Sequence, residues 1–160
     1  MFKRKLQDET PMKLGACGYP QPFLTALSEL GEQSRREGKQ AALVLVSIDN
    51  LAMIMSGYSM AVAEAVMAEL AEVISASHDG AKTIMRIQRD QFGVLIADTN
   101  EQAVTAWRQT LEEGIRHYSY ASRYGELHCL SSTVYEMLTD EAADSAEILG
   151  RVIVELTEGT

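Results

Sequence analysis

Residues 82–97 read Lys-Thr-Ile-Met-Arg-Ile-Gln-Arg-Asp-Gln-Phe-Gly-Val-Leu-Ile-Ala. Two arms rich in β-formers, Lys82–Ile87 and Phe92–Ala97, flank the polar break Gln88-Arg89-Asp90-Gln91, which predicts a hairpin. Upstream, Ala41–Ile48 (AALVLVSI) is a continuous apolar run of strand length. A half-exposed strand would alternate, so this run predicts a strand covered on both faces at the centre of a sheet. Asp49-Asn50 ends it.

The remaining segments supply cover for that sheet. Pro20 and Pro22 precede Phe23, Leu24, Leu27 and Leu30, spaced for one face of a helix that stops near Gly38. Val62, Val66, Leu70 and Val73 mark an amphipathic helix from about Met60 to Ala76, with Glu64 and Glu72 directed away from the core. His78-Asp79-Gly80 reads as a turn, and Asp98-Thr99-Asn100 offers an N-cap for a helix carrying Val104, Trp107, Leu111, Ile115 and Tyr118 on one stripe. Leu127–Met137 is a further strand candidate. Ser145–Leu156 closes the chain as a helix with Ile148, Leu149, Val152, Ile153 and Leu156 inward. Residues 1–16 are polar and unpatterned and are expected to form a flexible N-terminal arm, leaving residues 17–160 as one domain. The order helix, strand, helix, hairpin, helix, strand, helix predicts an α+β sandwich: a mainly antiparallel central sheet with flanking helices. That order suits ferredoxin-like regulatory domains and nucleotide cyclases alike.

Composition excludes several classes of function. Of 160 residues, 46% are hydrophobic and 23% charged, a balance that argues for a packed domain over wholesale disorder. A net charge of −9 opposes binding to a polyanion, so no nucleic-acid partner is expected. Lys3-Arg4-Lys5 is the only basic cluster and is read as solvated. No apolar run approaches the roughly 18 residues that cross a bilayer, and no hydrophobic stretch follows the N-terminal charges as in a signal peptide. Cys17 and Cys129 lack metal-ligand spacing, as do His78, His117 and His128. A reducing, cytoplasmic setting is expected, with Cys129 a small buried residue in a strand.

Three stretches and their spacing carry a resemblance to a known family. Arg86-Ile87-Gln88-Arg89-Asp90-Gln91-Phe92 resembles the segment of GGDEF domains in which an Arg leads into Gly-Gly-Asp-Glu-Phe. The signature positions here hold Gln88, Arg89, Asp90, Gln91 and Phe92, two of the five as in the family. Leu45–Tyr58 is similar to the family's strand ending in Asp-x-Asp and the run behind it: the first Asp is Ser47, the second is kept as Asp49, and Ile54 and Tyr58 also fit. Gly18-Tyr19-Pro20-Gln21-Pro22-Phe23 resembles the segment that leads into the family's first helix. The separations agree, so the resemblance spans about residues 18–157 and implies a nucleotide-cyclase-like, ferredoxin-type core.

The resemblance also implies which chemistry is missing. Active relatives join two GTP molecules with a metal pair held by carboxylates, since hard Mg²⁺ selects anionic oxygens. The first metal Asp corresponds to Ser47, leaving Asp90 as the one metal candidate, with Asp49 read as a strand-end residue. The signature Glu corresponds to Gln91, which cannot ionise and cannot act as a general base. Guanine recognition corresponds to Met55 and Glu64, the phosphate-contacting Lys to Ala52, and the glycine pair to Gln88 and Arg89. The product-inhibition motif Arg-x-x-Asp would run from Asp79 to Lys82 and is absent. The expectation is a catalytically inactive, degenerate module of bacterial cyclic di-GMP signalling with no catalytic residue and no cofactor beyond weak GTP/Mg²⁺. It is expected to act through a protein partner, a linked EAL or sensor domain, or a homodimer. The alternative is a GTP sensor without turnover, using Ser47, Asp49, Met55, Glu64, Arg89 and Asp90 as its nucleotide-binding candidates and regulating a phosphodiesterase. Met53, Met55 and Met60 are expected around that pocket, filling it or offering an apolar contact.

Overall fold

The computed structural model describes residues 19–77, 82–123, 125–138, 147–148 and 151–152. Their elements run α1 (Gln21–Glu37), β1 (Ala41–Ile48), α2 (Leu51–Gly57), α3 (Met60–Ala76), β2 (Lys82–Gln88), β3 (Gln91–Ile96), α4 (Glu101–His117), β4 (Ser119–Ser122), β5 (Gly125–His128) and β6 (Ser131–Leu138). Four strands form one sheet in the order β2-β3-β1-β6, each neighbouring pair antiparallel, and β4 and β5 form a separate ribbon. With α3 linking β1 to β2 and α4 preceding β6, this is the split βαβ arrangement of ferredoxin-type folds.

The apolar run of β1, broken by Ser47 near its end, is explained by its place in the sheet. Every residue of β1 is buried. Ala42, Val44, Val46 and Ile48 enter a core with Leu51 and Ile54 of α2, Val66 and Leu70 of α3, and Trp107 and Leu111 of α4. Ala41, Leu43 and Leu45 enter the opposite core with Phe23, Leu24 and Leu27 of α1 and with Ile148 and Val152. Neighbouring residues of one strand point to opposite faces, so only a strand roofed on both sides needs to be apolar throughout.

Local chemistry sets the helix ends. Gly38 closes α1 at φ 69°, a left-handed conformation that glycine adopts without a Cβ penalty. Ser59 caps α3 by accepting from the Val62 amide at 3.0 Å, and Asn100 caps α4 by accepting from the Ala103 amide at 2.8 Å. Gly93 in β3 has a packing reason: a Cβ there would stand 2.5 Å from the Phe23 ring.

Several elements depart from the sequence reading, among them β4, where no strand was expected. Helix α2 is added; at 7 residues it is too short to show a helical period, and it buries Leu51 and Ile54. The strand expected over Leu127–Met137 is divided into β5, which pairs with β4, and β6, which pairs with β1. Buried Cys129 therefore lies in the link between two strands. Tyr118 falls just past α4 as its extended C-cap, packing on the core and donating its hydroxyl to Glu69 at 2.8 Å. The N-terminal arm, Cys17, and the turn at 78–80 lie outside the described residues. So does the C-terminal helix, apart from helical 147–148 and 151–152.

Candidate functional site

The candidate residues gather where β1 ends between the β2–β3 turn and the start of β6. Ser47 is paired with Gln91 on one side and Ser132 on the other, and its relative exposure is 9%. Beyond it, the Ile48 amide donates to the Asp90 carbonyl at 2.8 Å and the Asp49 amide donates to the Leu130 carbonyl at 2.7 Å. The main chain at the end of β1 is thus anchored to both neighbours. The side chains there are anchored as well: the Ser132 hydroxyl donates to Asp49 Oδ2 at 2.5 Å, and the Tyr19 hydroxyl donates to Gln91 Oε1 at 3.0 Å.

Asn50 stitches the β5–β6 link to this corner. Its side-chain amide donates to the His128 carbonyl and its Oδ1 accepts from the Leu130 amide, each at 3.0 Å. This pair of bonds explains why the chain leaves β5 and restarts as β6. Asn50 was legible from sequence only as a strand breaker.

The hairpin turn consists of Arg89 and Asp90, with Gln88 opposite Gln91 and a register shift between Arg86 and Gln88. Asp98 is the one non-glycine with positive φ among the described residues, so neither turn residue uses the left-handed conformation that glycines would serve. Two-residue loops without positive φ fit the twist of a hairpin poorly, and an adjacent bulge absorbs the mismatch. Phe92 is buried opposite Val46, whereas Gln88 and Arg89 are exposed and Asp90 is partly exposed.

Arg86 is the organising side chain that sequence reasoning left without a role. Its Nη1 and Nη2 meet the two carboxylate oxygens of Glu64 on α3 at 2.7 and 3.0 Å. Its Nε and Nη2 also donate to the Arg89 carbonyl of the turn, at 3.0 and 2.6 Å. The hydrogen bonds from Arg86 hold the Glu64 carboxyl below its usual range, against an opposing push from partial burial, with the charges of Arg86 and Arg89 adding to the lowering. Both oxygens of Glu64 are therefore engaged by protein.

The three methionines have different surroundings. Met55 packs against the core, while Met53 and Met60 are exposed to 72% and 49%. With Tyr58 and Leu130 they make up the exposed large apolar residues among those described. Among the described residues no group of three or more His, Cys, Asp or Glu side chains is placed to hold a metal ion. No described helix is long and apolar enough to cross a membrane.

The family described as "Diguanylate cyclase, GGDEF domain" matches residues 21–152. No curated protein matches the chain. Among solved structures, the diguanylate cyclase SiaD of Pseudomonas aeruginosa, in complex with its activator SiaC, superposes with a TM-score of 0.80 at 17% identity. The match covers 88% of this chain and 55% of SiaD, so the chain spans about half of that protein. The active GGEEF domain of a diguanylate cyclase from Vibrio cholerae gives a TM-score of 0.78 at 13% identity, covering 86% of this chain and 87% of that one. An EAL/GGDEF domain protein from M. capsulatus gives 0.70 at 16% identity, with 86% and 89% covered. These identities speak to a shared fold: an antiparallel sheet flanked by helices.

Proposed function

The chain belongs to the GGDEF family, and from that premise we propose that it is a non-catalytic member, working in the cytoplasm by protein contact or dimerisation within cyclic di-GMP signalling. The observation that carries this reading is the state of the side chains at the end of β1. Ser47 lies between neutral Gln91 and Ser132, Gln91 is bonded to Tyr19, and both oxygens of Glu64 are held by Arg86. Asp49 and Asp90 remain as carboxylates, but Asp49 already accepts from Ser132. This donor set does not suit a pair of Mg²⁺ ions, which need several anionic oxygens free to coordinate. An amide in place of a carboxylate also offers no base to take a proton from an attacking hydroxyl. Each such loss typically costs about a hundredfold or more in rate.

A contact role draws support from exposed Met53 on α2 and Met60 at the start of α3, because adaptable apolar side chains left in water suit a partner surface. SiaD, which is similar in fold, is bound to an activator protein, and the M. capsulatus relative combines EAL and GGDEF domains. A protein partner or a linked domain is therefore the interaction assigned here.

The test is a calorimetric titration with GTP and Mg²⁺, with the same mixture assayed for cyclic di-GMP. The expected outcome is no saturable heat and no product. Saturable binding without product would replace this reading with that of a GTP sensor. Product formed with steady turnover would overturn both.

A further inference from the structure

We propose that Glu64, Arg86 and the Arg89 carbonyl form a latch through which the position of helix α3 sets the conformation of the β2–β3 turn. The latch spans three elements. Glu64 lies in the first turns of α3 and Arg86 lies on β2, while Arg89 is at the tip of the hairpin. One guanidinium serves both ends: Nη1 and Nη2 meet the carboxylate at 2.7 and 3.0 Å, and Nε and Nη2 meet the turn carbonyl at 3.0 and 2.6 Å. A planar fork binds a carboxylate in one orientation, so fixing Glu64 also fixes the direction of the donors aimed at the turn.

The turn needs such support. Its two residues lack the positive φ that matches a two-residue loop to strand twist, and the ladder slips one residue before it, between Arg86 and Gln88. The tip is also tied to the centre of the sheet, since the Asp90 carbonyl accepts from the Ile48 amide at 2.8 Å. Displacing the N-terminal part of α3, where Met60 is exposed at the first position, would withdraw the carboxylate and release the turn carbonyl from Arg86. A partner seated on that end of α3 would then be felt at Arg89 and Asp90, residues it does not touch. Coupling of this kind requires an element that both sites bias, and the hairpin tip supplies it. The latch stands whether or not the domain binds nucleotide.

Glu64 makes no described hydrogen bond to the turn itself, and the test uses that fact. Amide hydrogen exchange would be followed at Ile48, whose acceptor is the tip, and at Val94 in mid-sheet as a reference for global opening. Glu64→Gln is expected to speed exchange at Ile48 by about fivefold or more with Val94 unchanged. Arg86→Lys, which keeps the charge but not the fork, is expected to do the same, and the double variant to add little to either. If Ile48 exchanges at the wild-type rate in Glu64→Gln, or if Ile48 and Val94 accelerate together, the latch is refuted.

Discussion

Gly93 shows how a single position is fixed from two directions. As a strand residue it offers no side chain to the sheet, yet a Cβ there would meet Phe23 Cε1 and Cζ at 2.5 Å and Ile87 Cδ1 at 3.2 Å. Phe23 is fully buried, so the ring has little room to withdraw. Gly93→Ala should destabilise the fold by about 1–3 kcal/mol, the usual range for overpacking, read as a lower urea midpoint at unchanged slope. Combining it with Phe23→Leu should cost less than the sum of the two single changes, because the smaller side chain vacates the space the methyl needs. A fully additive pair would show that the clash is not what disfavours alanine. Of the candidate site, the identities of Ser47, Gln91 and Met55 were legible in the sequence. The engagement of Glu64 was not, because its partner is 22 residues away and a surface glutamate carries no local mark of a distant arginine.

At the scale of elements, the boundaries that proved hardest to read are those made by long-range hydrogen bonds. Hydrophobic periodicity locates α1, α3 and α4, whose caps are local, and it locates β1 and the hairpin. It merges β5 and β6, because their separation depends on Asn50, about 80 residues before Leu130. Asn50→Ala should destabilise the protein by about 1–2 kcal/mol through the loss of both bonds. Asn50→Asp keeps an acceptor for the Leu130 amide while losing the donor to His128, so it should fall between alanine and wild type in denaturant titrations. Equal losses for the two variants would mean that the Leu130 bond contributes nothing. For comparison, Asn100→Ala removes only a helix cap and should cost about 1 kcal/mol.

For the whole molecule, the ionisable groups predict a weak side on alkaline titration. Burial pushes the Cys129 thiol up to about 11. Burial also raises Tyr118, followed by its hydrogen bond to the Glu69 carboxylate. Groups whose folded pKa is raised keep their protons longer in the folded state, so their contribution is whole below the unfolded pKa and is lost as pH rises. For Cys129 that window opens near roughly 8.5, where an unfolded thiol ionises, and extends to about 11. Thermal midpoints should therefore fall progressively across it, and Cys129→Ala should flatten part of the decline. The same burial should make Cys129 react slowly with a thiol reagent at neutral pH until the protein unfolds, in a Cys17→Ser background. Prompt labelling of the folded protein would contradict the buried placement.

The sequence by itself determined the centre of this protein: an apolar run that only a doubly covered strand can bury, a hairpin beside it, and residues around both that resemble GGDEF domains. Those features are legible because they depend on periodicity and on the identity of residues close together in the chain. Tertiary structure alone decided which polar groups at the site are already satisfied. Tyr19 reaches Gln91 across 72 residues, Asn50 divides β5 from β6, and Arg86 joins Glu64 to the turn. Hydrogen bonds of this kind require donors and acceptors within about 3 Å at defined angles, and sequence separation carries no information about such distances until the sheet has brought its strands together.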